Sequence, residues 1–295
     1  MAEIKKVLVA GAGVMGTGIA QVSAGANYSV YLYDSLPGVA EKSLAKLADS
    51  LAGRVEKGKM TAGDRDALLS RIAAVGSVAE AKDADLVIEA IIEKLEAKQE
   101  FFAECEEHLA ADAILASNTS SILISEIAGK MKTPERFIGL HFFNPVPVMK
   151  LIEIINGLKT SEETSAAALA FTESLGKIGV FVKDSPGFLV NRINNALKNE
   201  AFACLAEGIA SMEDIDKAMK FGLGHPMGPF ELNDMTGLDI GVSVAEVLYS
   251  HFREPRWRPF LPLKKLVMAG DFGKKTGKGW YDYTSGEKKP RKLNL

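Results

Sequence analysis

The sequence predicts an α/β protein in which a mostly parallel sheet of the Rossmann type is followed by an all-helical C-terminal domain. Three observations support this fold class. Short apolar runs alternate with helical segments in the first part of the chain, a glycine-rich turn follows the first run, and the pattern is helical after residue 187. A Lys-Asp-Ser-Pro-Gly segment, residues 183–187, predicts the boundary between domains 1–184 and 185–295.

Composition restricts the class of protein. The chain has 295 residues, enough for two cores, and its 47% hydrophobic and 25% charged residues are ordinary for a globular protein. A net charge of -3 predicts no nucleic-acid partner. No apolar run is long enough for a membrane span, and no leader segment is recognised, so cytoplasm is the expected compartment. Cys105 and Cys204 lack metal-ligand spacing and are expected to be free thiols.

The first strand ends in glycines at positions 11, 13 and 16, and a helix of small residues follows. In a dinucleotide site, Gly11 would make the tight turn, Gly13 would let a pyrophosphate approach, and Gly16 would let the helix pack on the strand. Phosphates favour such a helix N-terminus because of its free N–H groups. A tight turn with no ligand explains the glycines equally well when they are taken alone.

The second strand, predicted over residues 28–33, changes that balance because it ends in Asp34. An acid about 20 residues after the glycines is expected to bind a ribose 2′-hydroxyl. No Arg or Lys follows immediately, so a 2′-phosphate would lack a partner. The pattern therefore favours NAD over NADP.

A helix is predicted over residues 37–59, and its end is basic, with Arg54, Lys57 and Lys59. Charges of this kind usually form a solvated helix face. The alternative is a site for an anionic, phosphate-bearing substrate, since cationic side chains pair strongly with phosphate.

Two apolar strands are predicted next, at residues 85–90 and 113–116. The helix between them is expected to carry Glu93 and Lys98, for which surface pairing is the simple explanation. The second strand leads into a Ser-Asn-Thr-Ser-Ser cluster, residues 117–121. Ligands of open α/β sheets bind outside the carboxyl ends of strands, so the cluster indicates a site. A helix cap without a site is equally compatible with these residues.

His141 and Glu153 are the candidate catalytic pair. Glu153 interrupts an apolar run, and an ionised carboxylate is rarely buried without a partner. His141 is the nearest candidate, across a turn bounded by Asn144 and two prolines. Such pairing would fix the imidazole tautomer and leave the other ring nitrogen for proton transfer. In the alternative, Glu153 is exposed at a sheet edge and His141 is only a core residue.

The C-terminal domain is predicted from helical segments at residues 212–219 and 232–248, separated by a Gly/Pro-rich break at 222–229. Asn191 belongs to a polar segment just after the boundary and either caps a helix or faces a cleft. The apolar helical faces suit a dimer interface, although they could equally pack internally.

Over nearly its full length the chain resembles the L-3-hydroxyacyl-CoA dehydrogenase family, most closely its bacterial members that act on 3-hydroxybutyryl-CoA. The similarity is carried by ordered motifs: Gly11-Ala12-Gly13-Val14-Met15-Gly16, Ser117-Asn118-Thr119-Ser120-Ser121, the run from Gly139 to Leu151, Asp184 to Arg192, Pro226-Met227-Gly228-Pro229-Phe230-Glu231-Leu232 and Gly273-Lys274-Lys275-Thr276-Gly277.

The resemblance implies roles for individual residues. His141 would be the general acid/base, Glu153 its orienting carboxylate, Ser120 a ligand of the substrate 3-oxygen beside the nicotinamide, and Asn191 a further substrate contact. The implied cofactor contacts are Gly11, Gly13, Val14, Met15, Gly16, Asp34, Glu93, Lys98, Ser120, Asn144 and Lys275. Ser50 and Lys57, with Ser120, would bind the coenzyme A substrate. Gly53 and Glu56 depart from the lysine-rich coenzyme A helix that is usual in the family.

The implied activity is reversible, NAD(H)-dependent interconversion of a 3-hydroxyacyl-CoA and a 3-oxoacyl-CoA, with no metal, in a homodimer. Two alternatives stay open from the sequence. One is a dehydrogenase for another acyl-CoA or a small hydroxy acid, such as 3-hydroxyadipyl-CoA or L-gulonate. The other is a non-enzymatic NAD-binding protein, which would have no need of His141, Glu153, Ser120 and Asn191 together.

Overall fold

The computed structural model of the protein describes residues 3–293 and divides into two compact units, Met1–Phe188 and Leu189–Leu295. The first unit contains one eight-stranded sheet. Its strands are β1 (Lys6–Ala10), β2 (Ser29–Tyr33), β3 (Ile72–Val75), β4 (Leu86–Glu89), β5 (Ile114–Ser117), β6 (Phe137–Phe142), β7 (Leu151–Asn156) and β8 (Ile178–Lys183).

The strand order is β3-β2-β1-β4-β5-β6-β7-β8. Neighbours from β3 to β6 pair in parallel, β7 pairs antiparallel with β6, and β8 pairs in parallel with β7. The predicted mostly parallel sheet is confirmed. Because β1 lies between β2 and β4, the chain leaves it in one direction and later returns to its other side. A ligand of an open α/β sheet binds at such a switch point.

Six α-helices accompany the described part of this sheet: α1 (Val14–Gly25), α2 (Val39–Glu56), α3 (Ala62–Leu69), α4 (Leu95–His108), α5 (Ile124–Ile127) and α6 (Glu162–Ser174). Local chemistry explains their ends. The Thr61 side chain accepts a hydrogen bond from Asp64 N, and Ser161 does the same for Thr164 N, so each caps a helix. Helix α2 ends before Gly58, whose φ of 65° suits glycine best.

Both faces of the central strands are buried, as a parallel sheet requires. Alternate residues of β1 show this, since Val7 and Val9 belong to one apolar cluster, and Leu8 and Ala10 belong to the other. The first cluster includes residues of α1, α2 and α6, and the second includes residues of α4 and α5. This two-sided burial explains why β4 and β5 are short, continuous apolar runs.

The second unit is helical, as predicted, with α7 (Val190–Ala206), α8 (Met212–Gly222), α9 (Pro229–Thr236), α10 (Leu238–Phe252) and α11 (Leu261–Met268). Its core contains Phe202, Phe230 and Trp280. It also contains a two-stranded antiparallel ladder of β9 (Tyr281–Asp282) and β10 (Lys289–Pro290), which the sequence did not indicate.

The helix predicted at residues 232–248 is divided into α9 and α10 at Gly237. That residue has a φ of 102°, which a helix does not allow. No helix in residues 3–293 is both long enough and apolar enough to cross a membrane.

Candidate active site

The glycine-rich turn joins β1 to α1 and has the geometry that a dinucleotide site requires. Gly11 has a φ of 93°, and a Cβ there would lie 2.4 Å from the Ala90 carbonyl oxygen. A Cβ on Gly16 would lie 1.7 Å from the Gly11 oxygen, so both positions need glycine for internal packing. A Cβ on Gly13 would meet no described protein atom within 4 Å. The absence of a side chain at position 13 therefore leaves space for a ligand to approach the backbone, and the turn fits a pyrophosphate.

Asp34 follows β2 and is fixed beside this turn. Its Oδ2 accepts from Ala12 N at 2.9 Å, and its Oδ1 accepts from Leu36 N at 3.0 Å. Each carboxylate oxygen keeps acceptor capacity for a ribose hydroxyl. Asp34 and Gly13 line a cavity of about 630 Å³, which also contains Glu100 and Glu104 and no Lys, Arg or His among its described lining residues. This acid-lined cavity fits an adenosine ribose with a free 2′-hydroxyl.

A second cavity, of about 420 Å³, lies on the other side of the same turn. It brings Gly13, Ser50 and Asn144 together, from the turn, from α2 and from the loop after β6. Lys46, one helical turn before Ser50, also lines it. Lys57 is the exposed C-cap residue of α2 and does not line this cavity, so the structure groups Ser50, and not Lys57, with the turn.

Lys98 is only 1% exposed, so surface pairing is the wrong explanation for it. Its ammonium group lies 2.5 Å from Glu89 Oε1 and 3.1 Å from Glu93 Oε2. Glu93 lies in the loop before α4 and not on the helix, which begins at Leu95. Burial raises the pKa of Glu89, although Lys98 and Ser117 oppose that effect.

Glu93 binds the loop that carries Ser120. Its Oε1 accepts hydrogen bonds from the Thr119 hydroxyl at 2.6 Å, from Ser120 N at 3.0 Å and from Ser121 N at 3.1 Å. Burial by itself would raise the pKa of Glu93, but the charge of Lys98 and these hydrogen bonds hold it below its usual value. The loop is not a simple helix cap, because Asp184 receives the Ile124 and Ser125 N–H groups at the start of α5.

His141 and Glu153 form a buried pair on β6 and β7. The antiparallel register places them directly opposite each other, and His141 Nδ1 lies 2.7 Å from Glu153 Oε2. His141 is 6% exposed and Glu153 is 0% exposed, so the alternative of an edge-exposed acid is wrong. A carboxylate at this position accepts from Nδ1–H, which fixes the tautomer and orients the ring.

The rest of the imidazole is enclosed by aromatic rings. The centroid of Phe143 lies 4.5 Å from that of His141, and the centroid of Phe188 lies 5.6 Å away. Within residues 3–293, His141 has Glu153 as its hydrogen-bond partner through Nδ1 and has none through Nε2. Nε2 is thus the ring nitrogen that can exchange a proton with a substrate.

Two predicted site residues belong to the second compact unit. Asn191 is the second residue of α7. Lys275 lies in a short 3₁₀ segment, where its ammonium group is 2.7 Å from an oxygen of Asp239 and 5.4 Å from the centroid of Phe272. Their roles toward cofactor and substrate stay predictions.

Sequence reasoning missed Glu89 as a site residue. It is the last residue of β4 and 0% exposed, and its Oε2 accepts from the Ser117 hydroxyl at 2.6 Å. The available signal was an acidic residue at the end of an otherwise apolar strand. Glu153, which interrupts the apolar run of β7, is a signal of the same kind. Its partner Lys98 is nine residues away and on another element, which no local pattern identifies.

No group of three or more His, Cys, Asp or Glu side chains within the described range 3–293 could hold a metal ion. Neither cysteine in that range is in a disulfide.

The fold and the site define an α/β dinucleotide-binding protein with a buried histidine–carboxylate pair at the ligand-binding edge of its sheet. The chain belongs to the 3-hydroxyacyl-CoA dehydrogenase family. Residues 6–185 match the family's "3-hydroxyacyl-CoA dehydrogenase, NAD binding domain", and residues 187–283 match its C-terminal domain. The resemblance inferred from the motifs is confirmed.

Individual relatives are similar over almost the whole chain. A "Probable 3-hydroxybutyryl-CoA dehydrogenase" of Bacillus subtilis is 49% identical over 95% of this chain and 98% of its own. A 3-hydroxybutyryl-CoA dehydrogenase of Clostridioides difficile is 42% identical over 94% of this chain and 99% of its own. The crystal structure of (S)-3-hydroxybutyryl-CoA dehydrogenase PaaH1 from Ralstonia eutropha has a TM-score of 0.92 and 45% identity, covering 96% of this chain and all of that one.

Proposed function

We propose that this protein is an NAD(H)-dependent oxidoreductase that interconverts (S)-3-hydroxybutyryl-CoA and acetoacetyl-CoA, with His141 as general acid/base. The observation that carries the proposal is the buried His141–Glu153 pair, which lies near the carboxyl end of β6 in a chain from this family. The names of relatives that are 42% and 49% identical over nearly the full length support this substrate.

NAD fits the first unit, because the turn at Gly13 is open to a pyrophosphate and Asp34 is held for a ribose hydroxyl. When bound, the nicotinamide supplies the hydride chemistry at C3 of the acyl group. The remaining contacts of the cofactor would come from Gly11, Val14, Met15, Gly16, Glu93, Lys98, Ser120, Asn144 and Lys275.

His141 and Glu153 carry out the proton transfer. In reduction, protonated His141 donates from Nε2 to the developing 3-alkoxide, and Glu153 stabilises the imidazolium through Nδ1–H. In oxidation, neutral His141 accepts the hydroxyl proton at the same nitrogen. General acid–base catalysis of this kind contributes about 10²–10⁴-fold.

The substrate would be held at both ends. Ser120 would donate to the 3-oxygen, and Asn191 would hold the acyl portion. Ser50 and Lys57 would bind the coenzyme A portion. The cavity beside Ser50, which has Lys46 in its lining and no acid among its described lining residues, is compatible with an anionic thioester.

We assign cofactor binding to residues 1–184, and substrate binding and dimer formation to residues 185–295, in a cytoplasmic homodimer. Exposed apolar side chains of the second unit support the dimer, among them Phe221 at 84% and Met268 at 79% exposure. Sedimentation equilibrium of the purified protein tests this, since a monomer at micromolar concentration would contradict it.

The alternatives are not favoured. A small hydroxy acid such as L-gulonate offers no coenzyme A group, and 3-hydroxyadipyl-CoA is named for a relative of which this chain covers 60%. A non-enzymatic NAD-binding protein would not explain a buried imidazole aligned by a carboxylate.

The decisive experiment follows NADH absorbance with purified protein. We expect oxidation of NADH with acetoacetyl-CoA and none with free acetoacetate or with sugar acids. A panel of 3-oxoacyl-CoA thioesters from C4 upward, each with NADH and NADPH, would define chain length and cofactor. Turnover of the free acids without turnover of the thioesters would refute the proposal.

A further inference from the structure

Glu89 ends β4 at the centre of the sheet, and three donors hold its carboxylate. Oε1 accepts from Ile91 N at 2.8 Å and from the Lys98 ammonium at 2.5 Å, and Oε2 accepts from the Ser117 hydroxyl at 2.6 Å. The side chains of Glu89 and Lys98 are 0% and 1% exposed. Both charges are therefore desolvated and depend on each other and on their hydrogen bonds.

One route from this pair reaches the backbone of Ser120. The Lys98 ammonium also lies 3.1 Å from Glu93 Oε2, and Glu93 Oε1 accepts from Ser120 N at 3.0 Å and Ser121 N at 3.1 Å. Lys98 thus binds one oxygen of the Glu93 carboxylate, and the other oxygen of that carboxylate binds the loop. Each link is charge-assisted, and such links are shorter and stronger than neutral hydrogen bonds.

A second route begins at the same residue and ends beside His141. Ser117, held by Glu89 Oε2, accepts from Thr119 N at 3.1 Å. Asn118 N donates to the Glu89 backbone oxygen at 2.8 Å, and Asn118 Oδ1 accepts from Phe142 N at 2.8 Å. Phe142 is the residue after His141, so the Glu89 backbone is linked to the His141 strand, while the Glu89 carboxylate holds the Ser120 loop through Ser117.

We propose that Glu89 and Lys98 are a positioning pair, which sets the backbone of the Ser120 loop through Glu93 and Ser117, in addition to the dinucleotide contact that the family resemblance implies for Lys98. The proposal rests on the function proposed above, in which Ser120 and His141 meet the same substrate oxygen. A buried ion pair can often be replaced by apolar residues with no loss of stability. We expect the Glu89–Lys98 pair to contribute to catalysis by fixing the position of the loop, because a misplacement of about 1 Å in a reacting group can cost about 10²-fold in rate.

The test compares Glu89→Gln, Lys98→Met and the double variant with the exposed neighbours Glu96→Gln and Lys94→Met as matched controls. Four quantities are measured: the Kd for NADH by fluorescence, kcat with acetoacetyl-CoA, the midpoint of urea unfolding, and hydrogen exchange of the peptide that contains residues 117–121. The first, third and fourth do not depend on turnover.

We expect both single variants to unfold at lower urea, since each removes one charge of the buried Glu89–Lys98 pair and leaves the other, and the double variant to recover much of that loss. The kcat should fall about 10²-fold in all three and should not recover in the double variant. Hydrogen exchange over residues 117–121 should be faster in all three variants, and the Kd for NADH of Glu89→Gln should stay within about twofold of the wild-type value. The control variants should match the wild type.

Two results would overturn the inference. Recovery of kcat together with stability in the double variant would make the pair merely structural. Wild-type hydrogen exchange over residues 117–121 in Glu89→Gln would show that the pair does not position the loop. If single variants fail to fold, the double variant and Ser117→Ala, which removes only one hydroxyl of the second route, still decide between these outcomes. Absence of acetoacetyl-CoA turnover in the wild type would instead refute the proposed function.

Discussion

Both compact units bury carboxylates, but the groups that face them differ. In the first unit, Glu153 faces the imidazole of His141, and Glu89 faces the ammonium of Lys98. In the second unit, Asp234 is 1% exposed and accepts from Trp280 N at 2.8 Å, from Tyr281 N at 2.9 Å and from the Tyr283 hydroxyl at 3.0 Å. The first pair of acids lies at the edge where ligands of such sheets bind.

Asp216 follows the pattern of Asp234. Its carboxylate accepts from Phe230 N at 2.9 Å, from Glu231 N at 3.2 Å and from the Tyr281 hydroxyl at 2.6 Å. Glycine packs tightly against both acids, because a Cβ on Gly228 would lie 2.2 Å from Asp216 Oδ1 and a Cβ on Gly279 would lie 2.0 Å from Asp234 Oδ1.

Burial of an acid does not by itself indicate catalysis. A carboxylate satisfied by backbone N–H groups and phenol hydroxyls joins chain segments, whereas one that orients an imidazole can support proton transfer. Four variants test this distinction.

The largest effect is expected for His141→Gln. Loss of the acid/base group should lower kcat with acetoacetyl-CoA by about 10²–10⁴-fold, while the Kd for NADH should change little because the dinucleotide turn is unaltered. Stopped-flow turnover and NADH fluorescence titration measure the two quantities. Wild-type turnover in this variant would remove His141 from the mechanism.

The next effect concerns stability and pH in the second unit. Burial raises the pKa of Asp234 to about 6, although the N–H groups of Tyr281 and Trp280 oppose the shift. The folded protein therefore binds this proton more tightly than the unfolded chain, so the cost of the charge is fully present above pH 6 and is relieved below the unfolded pKa of 3.8.

Asp234→Asn removes that titration. From pH 7 to pH 4, the unfolding free energy of the wild type should rise relative to the variant by about 2 kcal/mol, since one pKa unit corresponds to about 1.4 kcal/mol. Urea unfolding at several pH values gives the difference. A constant difference across this range would contradict the raised pKa, and a change in the intrinsic kcat of the folded enzyme would contradict the structural role.

A somewhat smaller loss is expected for Glu153→Gln. An amide can donate toward Nδ1 and so favour the wrong imidazole tautomer, which should lower kcat by about 10²-fold. The Kd for NADH serves as the control and should stay at the wild-type value. Equal kcat values for the variant and the wild type would place Glu153 with the structural acids.

The smallest effect is expected for Glu93→Gln. Lys98 and the loop hydroxyls hold the pKa of Glu93 below its usual value, although burial opposes them. Its contribution to stability is therefore present above pH 4.5 and is lost as the pH falls through its folded pKa. The stability difference between wild type and variant should narrow with acidification below pH 4.5. A difference that widens would reverse the assigned direction.

Local patterns were sufficient for much of the fold. The glycines of the first turn, the apolar strands and the acid after β2 were all predicted, because backbone sterics and burial act over a few residues. The His141–Glu153 pairing was also predicted, since one antiparallel turn connects its two strands. The two compact units, by contrast, differ in how their buried acids are satisfied, and no short sequence pattern shows that difference.

The sheet, the dinucleotide turn and the candidate acid/base pair therefore follow from the sequence. Three features appear only in the folded protein: Lys98 is buried between Glu89 and Glu93, Asp184 receives the first N–H groups of α5, and Gly237 separates two helices. The first depends on the packing of α4 against the sheet and the third on the φ of one glycine, whereas the second joins distant parts of the chain. Asp184 is 60 residues from Ile124, and such contacts depend on the packing of separate elements around a common core.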